Sequence, residues 1–328
     1  MFNKTSTSSK VRLYEGCLVK IRGREEIFYI KGIFEEDGKY IALPRYIPHP
    51  EGNRVDNKGR RFKVLKTYEE QIEYVYSKVR EILRYSKIFK MKIPMIDEEY
   101  IEEVYYPTEK TREILKNQEY EIDKVIVKIV KELQKDVPIE YIGICGSRLA
   151  NLTGPEQDID IVVVDMRYIQ QIFERLRKLK TCEDYVIERL CNYHKGSLRI
   201  PYTILYKLLR RRILENSIDG YQYFIRILPM IDMKPILKYH NVEKICRLYT
   251  HVKIYDESKL SFTSPCIYFV ESPIGNIPLI SDRGIFSETL LLLQNFKVSC
   301  VLECGILEIF NNTFDKWFYL DSKSFISF

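Results

Sequence analysis

Between Tyr141 and Asp165 the chain reads YIGICGSRLANLTGPEQDIDIVVVD. An apolar run ends at a Gly-Ser pair, and a short polar segment follows. Asp158 and Asp160 then stand one residue apart at the head of a second apolar run. Side chains alternate along a strand, so the two aspartates share a face, about 7 Å apart. Carboxylates that close repel and resist burial together. A divalent cation removes the repulsion. Hard oxygen donors suit Mg²⁺, which often takes one or two carboxylates and completes its shell with phosphate oxygens and water. At the Gly-Ser pair, Gly146 allows a sharp turn and close approach to a ligand. Ser147 is expected to open a short helix over SRLAN, where free N–H groups favour an anion such as phosphate. The order strand, turn, helix, strand therefore predicts a place where Mg²⁺ and a triphosphate meet.

The rest of the chain organises around this segment. Residues 1–66 read as an N-terminal β unit, with a hairpin signal at Glu36-Asp37-Gly38. Residues 67–135 read as a helical connector. Thr67 and Glu70 form a capping box, and a second long helix runs over EKTREILKNQEYEIDKVIVKIVKELQKDV to a stop at Pro138. Residues 136–240 hold the core. Its strands are expected at IEYIGIC, DIDIVVV and GYQYFIRIL, and its helices at 166–180, 183–193 and 202–215. Residues 241–328 read as a C-terminal β-rich domain. The expected fold class is α/β (α+β), a core with a mixed sheet flanked by two β-rich domains.

Other chemistries lack their signatures. The eight cysteines form no C-x-x-C pair, and the four histidines do not fall beside them at zinc spacing. Neither G-x-x-x-x-G-K-[ST] nor G-x-G-x-x-G occurs. No Ser-His-Asp or Cys-His set can be argued. No apolar run reaches the ~18 residues that span a membrane. The polar start MFNKTSTSSK has no signal-peptide core, so a cytoplasmic location is expected. The formal charge of +6 biases the chain mildly toward anionic partners.

The Gly-Ser pair, Asp158 eleven positions after Ser147, and the D-I-D triplet together resemble the DNA polymerase β-type nucleotidyltransferase signature. The segments ALPRYIPHPEGNR, YFIRILP and SPCIYFVES are similar to blocks in uncharacterised archaeal proteins described as predicted nucleotidyltransferases. This resemblance implies that Gly146 and Ser147 hold nucleotide phosphates. It implies that Asp158 and Asp160 are catalytic metal ligands for Mg²⁺, as one or two ions. The substrate would be an NTP, with a hydroxyl acceptor such as an RNA end. Arg148 is placed to reach a phosphate from the turn, or is a surface charge.

One departure bears on activity. The superfamily places a third carboxylate on a following strand. The matching stretch here, FIRILP, has Phe224 in that position, with Asp219 or Asp256 as possible substitutes. A non-catalytic nucleotide- or nucleic-acid-binding protein of the same fold is the alternative. Asp165 is expected to cap the next helix, and Arg226 to sit in a structural ion pair. The basic stretch KLLRRRILEN reads as a solvated helix face or a nucleic-acid contact.

Overall fold

The structure is a computed structural model and describes residues 12–155 and 158–328. The polar start of the chain lies outside the described residues. The protein is a mixed α/β molecule with several sheets. Among the described residues, no helix is long and apolar enough to cross a membrane.

The N-terminal unit is an antiparallel sheet of eight strands. Its longest hairpin joins Ile27–Glu36 to Lys39–Pro48 through Asp37 and Gly38. Both turn residues have positive φ, 52° and 75°, the geometry that matches strand twist in a two-residue hairpin.

The helical reading of 67–135 needs correction. Thr67 and Glu70 do form the capping box, but the helix stops at Lys78. Leu83–Ser86, Met91–Asp97 and Ile101–Tyr105 are strands that complete the first sheet. Val75, Val79 and Ile82 are all buried. A 3₁₀ turn over Arg80–Ile82 carries that last side chain into the core. The expected long helix is also two, Pro107–Lys116 and Glu121–Leu133. At the break, the Asp123 carboxylate accepts from the backbone N–H groups of Glu119 (3.0 Å) and Tyr120 (3.1 Å).

The core sheet has four strands in the order Glu215–Ile218, Tyr221–Ile227, Ile159–Val163 and Ile142–Ile144. Ile159–Val163 runs parallel to Tyr221–Ile227 and antiparallel to Ile142–Ile144, so the sheet is mixed. The helix Glu121–Leu133 buries Ile122, Val125, Ile126, Ile129, Val130 and Leu133, one face at helical spacing. They share a hydrophobic cluster with Ile142, Ile144, Ile159 and Ile161.

The expected helix over 202–215 ends at Arg211, and Glu215 opens a strand. Asp219 and Gly220, with φ of 50° and 83°, form the two-residue turn to Tyr221–Ile227.

In the C-terminal domain, Leu237–Asp256, Cys266–Ser272, Gly275–Ser281, Asn312–Tyr319 and Asn295–Ile309 pair in sequence, and the last pairs again with the first. Five strands thus close on themselves, which removes open edges. The expected boundary at 240 falls inside the twenty-residue strand Leu237–Asp256. Most of that strand is solvent-facing, so it lacks a clear apolar alternation. The helices Asp184–His194 and Tyr202–Arg211 join the barrel's own hydrophobic cluster through Val186, Ile187, Leu190, Leu205 and Leu209, against Phe286, Leu290 and Phe318.

Candidate functional site

The Gly-Ser turn is built against the aspartate strand. The Cys145 backbone N–H donates to the Asp160 carbonyl at 2.8 Å. Gly146 has φ of +62°, and a Cβ there would collide with the Asp160 carboxylate. Glycine is required on both counts. The helix that follows is one turn, Gly146–Leu149, too short for a substantial dipole. Part of its anchoring is hydrophobic. Leu149, Ala150 and Leu152 cluster with Ile27, Tyr46 and Phe62 of the N-terminal sheet. Beyond it, Thr153 and Val55 exchange two backbone hydrogen bonds of 2.9 Å.

Ser147, Asp158 and Asp160 line one cavity of about 470 Å³. The cavity lies where the N-terminal sheet, the core and the barrel meet. Arg45 and Tyr46 come from the first, Arg189 and His194 from the helix Asp184–His194, and Arg283 and Gly284 from the barrel. Asp160 is half-buried and Asp158 exposed. Burial, and next the neighbouring Asp158, push the Asp160 carboxyl up to about 7, against the opposing pull of Arg226 and Arg45.

Arg148 does not line the cavity. It is buried, with Nε and Nη2 each donating to Asp123 at 3.0 Å and its guanidinium 4.4 Å from the Tyr120 ring centroid. The expected phosphate contact is replaced by a structural ion pair that ties the turn to the helix Glu121–Leu133. Arg226 combines an ion pair with a place in the cavity wall. Its Nε lies 3.2 Å from the fully buried carboxylate of Glu15, yet it also lines the cavity. Asp165 caps as expected, accepting from the Arg167 backbone N–H at 2.9 Å.

The strand register locates Phe224, the position at which the resemblance led to the expectation of a carboxylate. Phe224 pairs directly with Asp160, and Glu215 pairs with Phe224 on the next strand. Directly paired residues share a face, so Phe224 stands between two acidic side chains. Its ring lies under Gly284 of the barrel, where a Cβ would meet it. Neither proposed substitute reaches the cavity. Asp219 is held by Lys128 at 2.6 Å on the surface, and Asp256 is exposed on the barrel.

Glu215 does line the cavity, and sequence reasoning missed it by extending a helix over it. Burial would raise its carboxyl, but Arg212 and His194 override this and hold it down to about 2. Arg212 is fully buried against it, and His194 Nε2 lies 3.2 Å from Oε2. The basic stretch is partly spent this way. Arg212 is internal and Arg210 pairs with Asp184. Arg45, Arg189 and Arg283 were missed too, since no local spacing links residues so far apart in the chain.

Among the described residues, no group of three or more His, Cys, Asp or Glu side chains is arranged to hold a metal ion. The donor chemistry offered is therefore two hard carboxylates, Asp158 and Asp160. They fit Mg²⁺ only as a site completed by water and phosphate oxygens.

No family model, no curated protein and no solved structure matches this chain.

Proposed function

We propose that the protein is a Mg²⁺-dependent nucleotidyltransferase that moves a nucleoside monophosphate from an NTP to a hydroxyl acceptor. One observation carries the reading: Ser147, Asp158 and Asp160 share a single cavity with arginines from three parts of the chain. Ser147 and the turn backbone bind and orient the phosphates. Gly146 leaves room for the Asp160 carboxylate. Asp158 and Asp160 hold Mg²⁺, which when bound supplies charge stabilisation at the phosphoryl oxygens. Arg226, fixed by Glu15, steadies the charge around Asp160. The chain's contribution is positioning and electrostatics. An RNA end suits the basic character of the chain.

Phe224 supports a second reading, nucleotide binding without turnover, because it occupies the position directly paired with Asp160. One experiment separates the two. The chain is incubated with each labelled NTP, Mg²⁺ and total cellular RNA, beside an Asp158→Asn/Asp160→Asn double variant. Label transferred by the wild type and lost in the variant supports transfer. Transfer unchanged in the variant refutes the mechanism. Mg²⁺-dependent NTP binding without transfer supports the second reading.

A further inference from the structure

Apart from Arg54 and Lys66, which have partners of their own, four arginines line the cavity among the described residues, Arg45, Arg189, Arg226 and Arg283, beside the carboxylates of Asp158, Asp160 and Glu215. Arg226 is matched by Glu15, and Glu215 is matched by Arg212. Arg45, Arg189 and Arg283 are different. Among the described residues, none of the three has a carboxylate within ion-pair distance. Arg45 donates to the Leu65 carbonyl at 2.8 Å, and Arg189 to the Gln222 side chain. Arg283 donates to the Asp321 and Ser324 carbonyls, at 3.4 and 3.3 Å, and to the Ser197 hydroxyl. A guanidinium carries five donors, so each side chain keeps some for a ligand. These partners also fix the direction of each fork.

The three come from separate units. Arg45 sits on the strand Lys39–Pro48, Arg189 on the helix Asp184–His194, and Arg283 beside the barrel turn Gly284–Phe286. Arg283 is half-buried, and its burial weakens its hold on the proton. Removing a cation from water without a counter-ion is costly, and a bound anion offsets that cost.

We propose that Arg45, Arg189 and Arg283 form a clamp for an oligophosphate chain, and that this clamp binds without the metal. The proposal rests on the nucleotidyltransferase reading for its natural ligand, the phosphate chain of an NTP. A single phosphate group is too small to meet three walls of a 470 Å³ cavity. A nucleic-acid duplex is too large to enter it. A short linear polyanion matches both the size and the charge. Bidentate guanidinium contacts suit phosphate oxygens. It follows that the barrel is part of the nucleotide site, because Arg283 belongs to it.

The test is isothermal titration of the full-length chain with inorganic tripolyphosphate at low salt with EDTA, so that neither nucleoside nor metal contributes. Saturable 1:1 binding is expected. Arg45→Gln, Arg189→Gln and Arg283→Gln should each weaken it by about ten-fold or more. Arg283→Lys should recover part of the loss, which separates charge from packing. The surface control Arg22→Gln should have no effect. Asp158→Asn/Asp160→Asn should bind at least as tightly, since two repelling charges are gone. No saturable binding by the wild type, or affinities unchanged in the three Gln variants, overturns the clamp. Arginine-dependent binding without any NTP transfer would keep the clamp and remove the transferase reading. Transfer with an unchanged KM for NTP in all three Gln variants would do the reverse.

Discussion

Replacing Asp160 by asparagine should stabilise the metal-free protein, and the gain should grow with pH. In the folded chain the Asp160 carboxyl is pushed up to about 7, first by burial and then by Asp158. In the unfolded chain it ionises near 3.9. A group whose folded value is raised contributes fully below the unfolded value and loses its contribution as pH climbs to the folded one. From pH 5 to pH 7 the wild type therefore loses about 1.36 kcal/mol per unit, or about 2.7 kcal/mol, and loses no more above that. Asparagine does not titrate. Unfolding entropy of about 2.1 cal/mol/K per residue makes 1 kcal/mol worth about 1.5 °C in a chain of 328 residues. Water entering the cavity screens part of the effect, so the variant's advantage should widen by about 2–4 °C between pH 5 and pH 8. Calorimetry with EDTA at both pH values measures this. Adding Mg²⁺ at pH 8 should raise the wild-type Tm and leave the variant unmoved. An equal Tm difference at pH 5 and pH 8 would refute the claim that Asp160 carries an unrelieved charge.

Gly146→Ala should lose nucleotide binding and about 1–3 kcal/mol of stability, because positive φ and the Asp160 carboxylate both exclude a side chain; urea unfolding and nucleotide titration check the two parts. Arg148→Ala should cost about 3–5 kcal/mol by stranding the buried Asp123 carboxylate, and a near-neutral result in urea would contradict a structural ion pair. Glu215 is the opposite case from Asp160. Its folded value is depressed to about 2, so its contribution is present above ~4.3 and disappears as pH falls toward 2. Glu215→Gln should therefore flatten the acid limb of the stability profile, by about 3 kcal/mol across that window, read by denaturant unfolding at stepped pH. Asp219→Asn and Asp256→Asn should leave NTP binding unchanged, since both side chains lie away from the cavity.

What could be read from the sequence was local. The Asp-Gly hairpin, the Thr67 capping box, the Asp165 cap and the strand-turn-strand around Gly146 each rest on neighbours within a few residues, and the structure contains all four. What could not be read depended on tertiary partners. Arg148 read as a phosphate contact or a surface charge because its own neighbours offer no acid. The partner is Asp123, 25 positions earlier, on a helix whose start was hidden inside an apparently continuous pattern. Glu215 was hidden by the apolar spacing before it, which a helix could have continued. The hairpin turn at Asp219-Gly220 was the signal that could have placed it on a strand.

The same distinction explains the shape of the site. The two aspartates and the Gly-Ser turn are a local unit, and a local unit leaves the charge on Asp160 unresolved. The balancing charges come from distant segments, Arg226 across the sheet and Arg45 from the first domain. Arg226 is already committed to Glu15, so it can moderate the charge on Asp160 but not cancel it. Arg189 and Arg283 face the cavity without a carboxylate of their own. A ligand carrying both signs, a metal ion at one end and phosphates along its length, would satisfy both halves of this imbalance. Neither a bare anion nor a bare cation would do so alone. Mg²⁺ and tripolyphosphate should therefore bind with positive coupling, each tightening the other. Asp158→Asn/Asp160→Asn should abolish the coupling without weakening the anion's own binding. Titration of tripolyphosphate at several Mg²⁺ concentrations measures it, after correction for the complex that the two form in solution. Independent binding in the wild type would mean that the acidic and basic halves of the cavity serve different ligands.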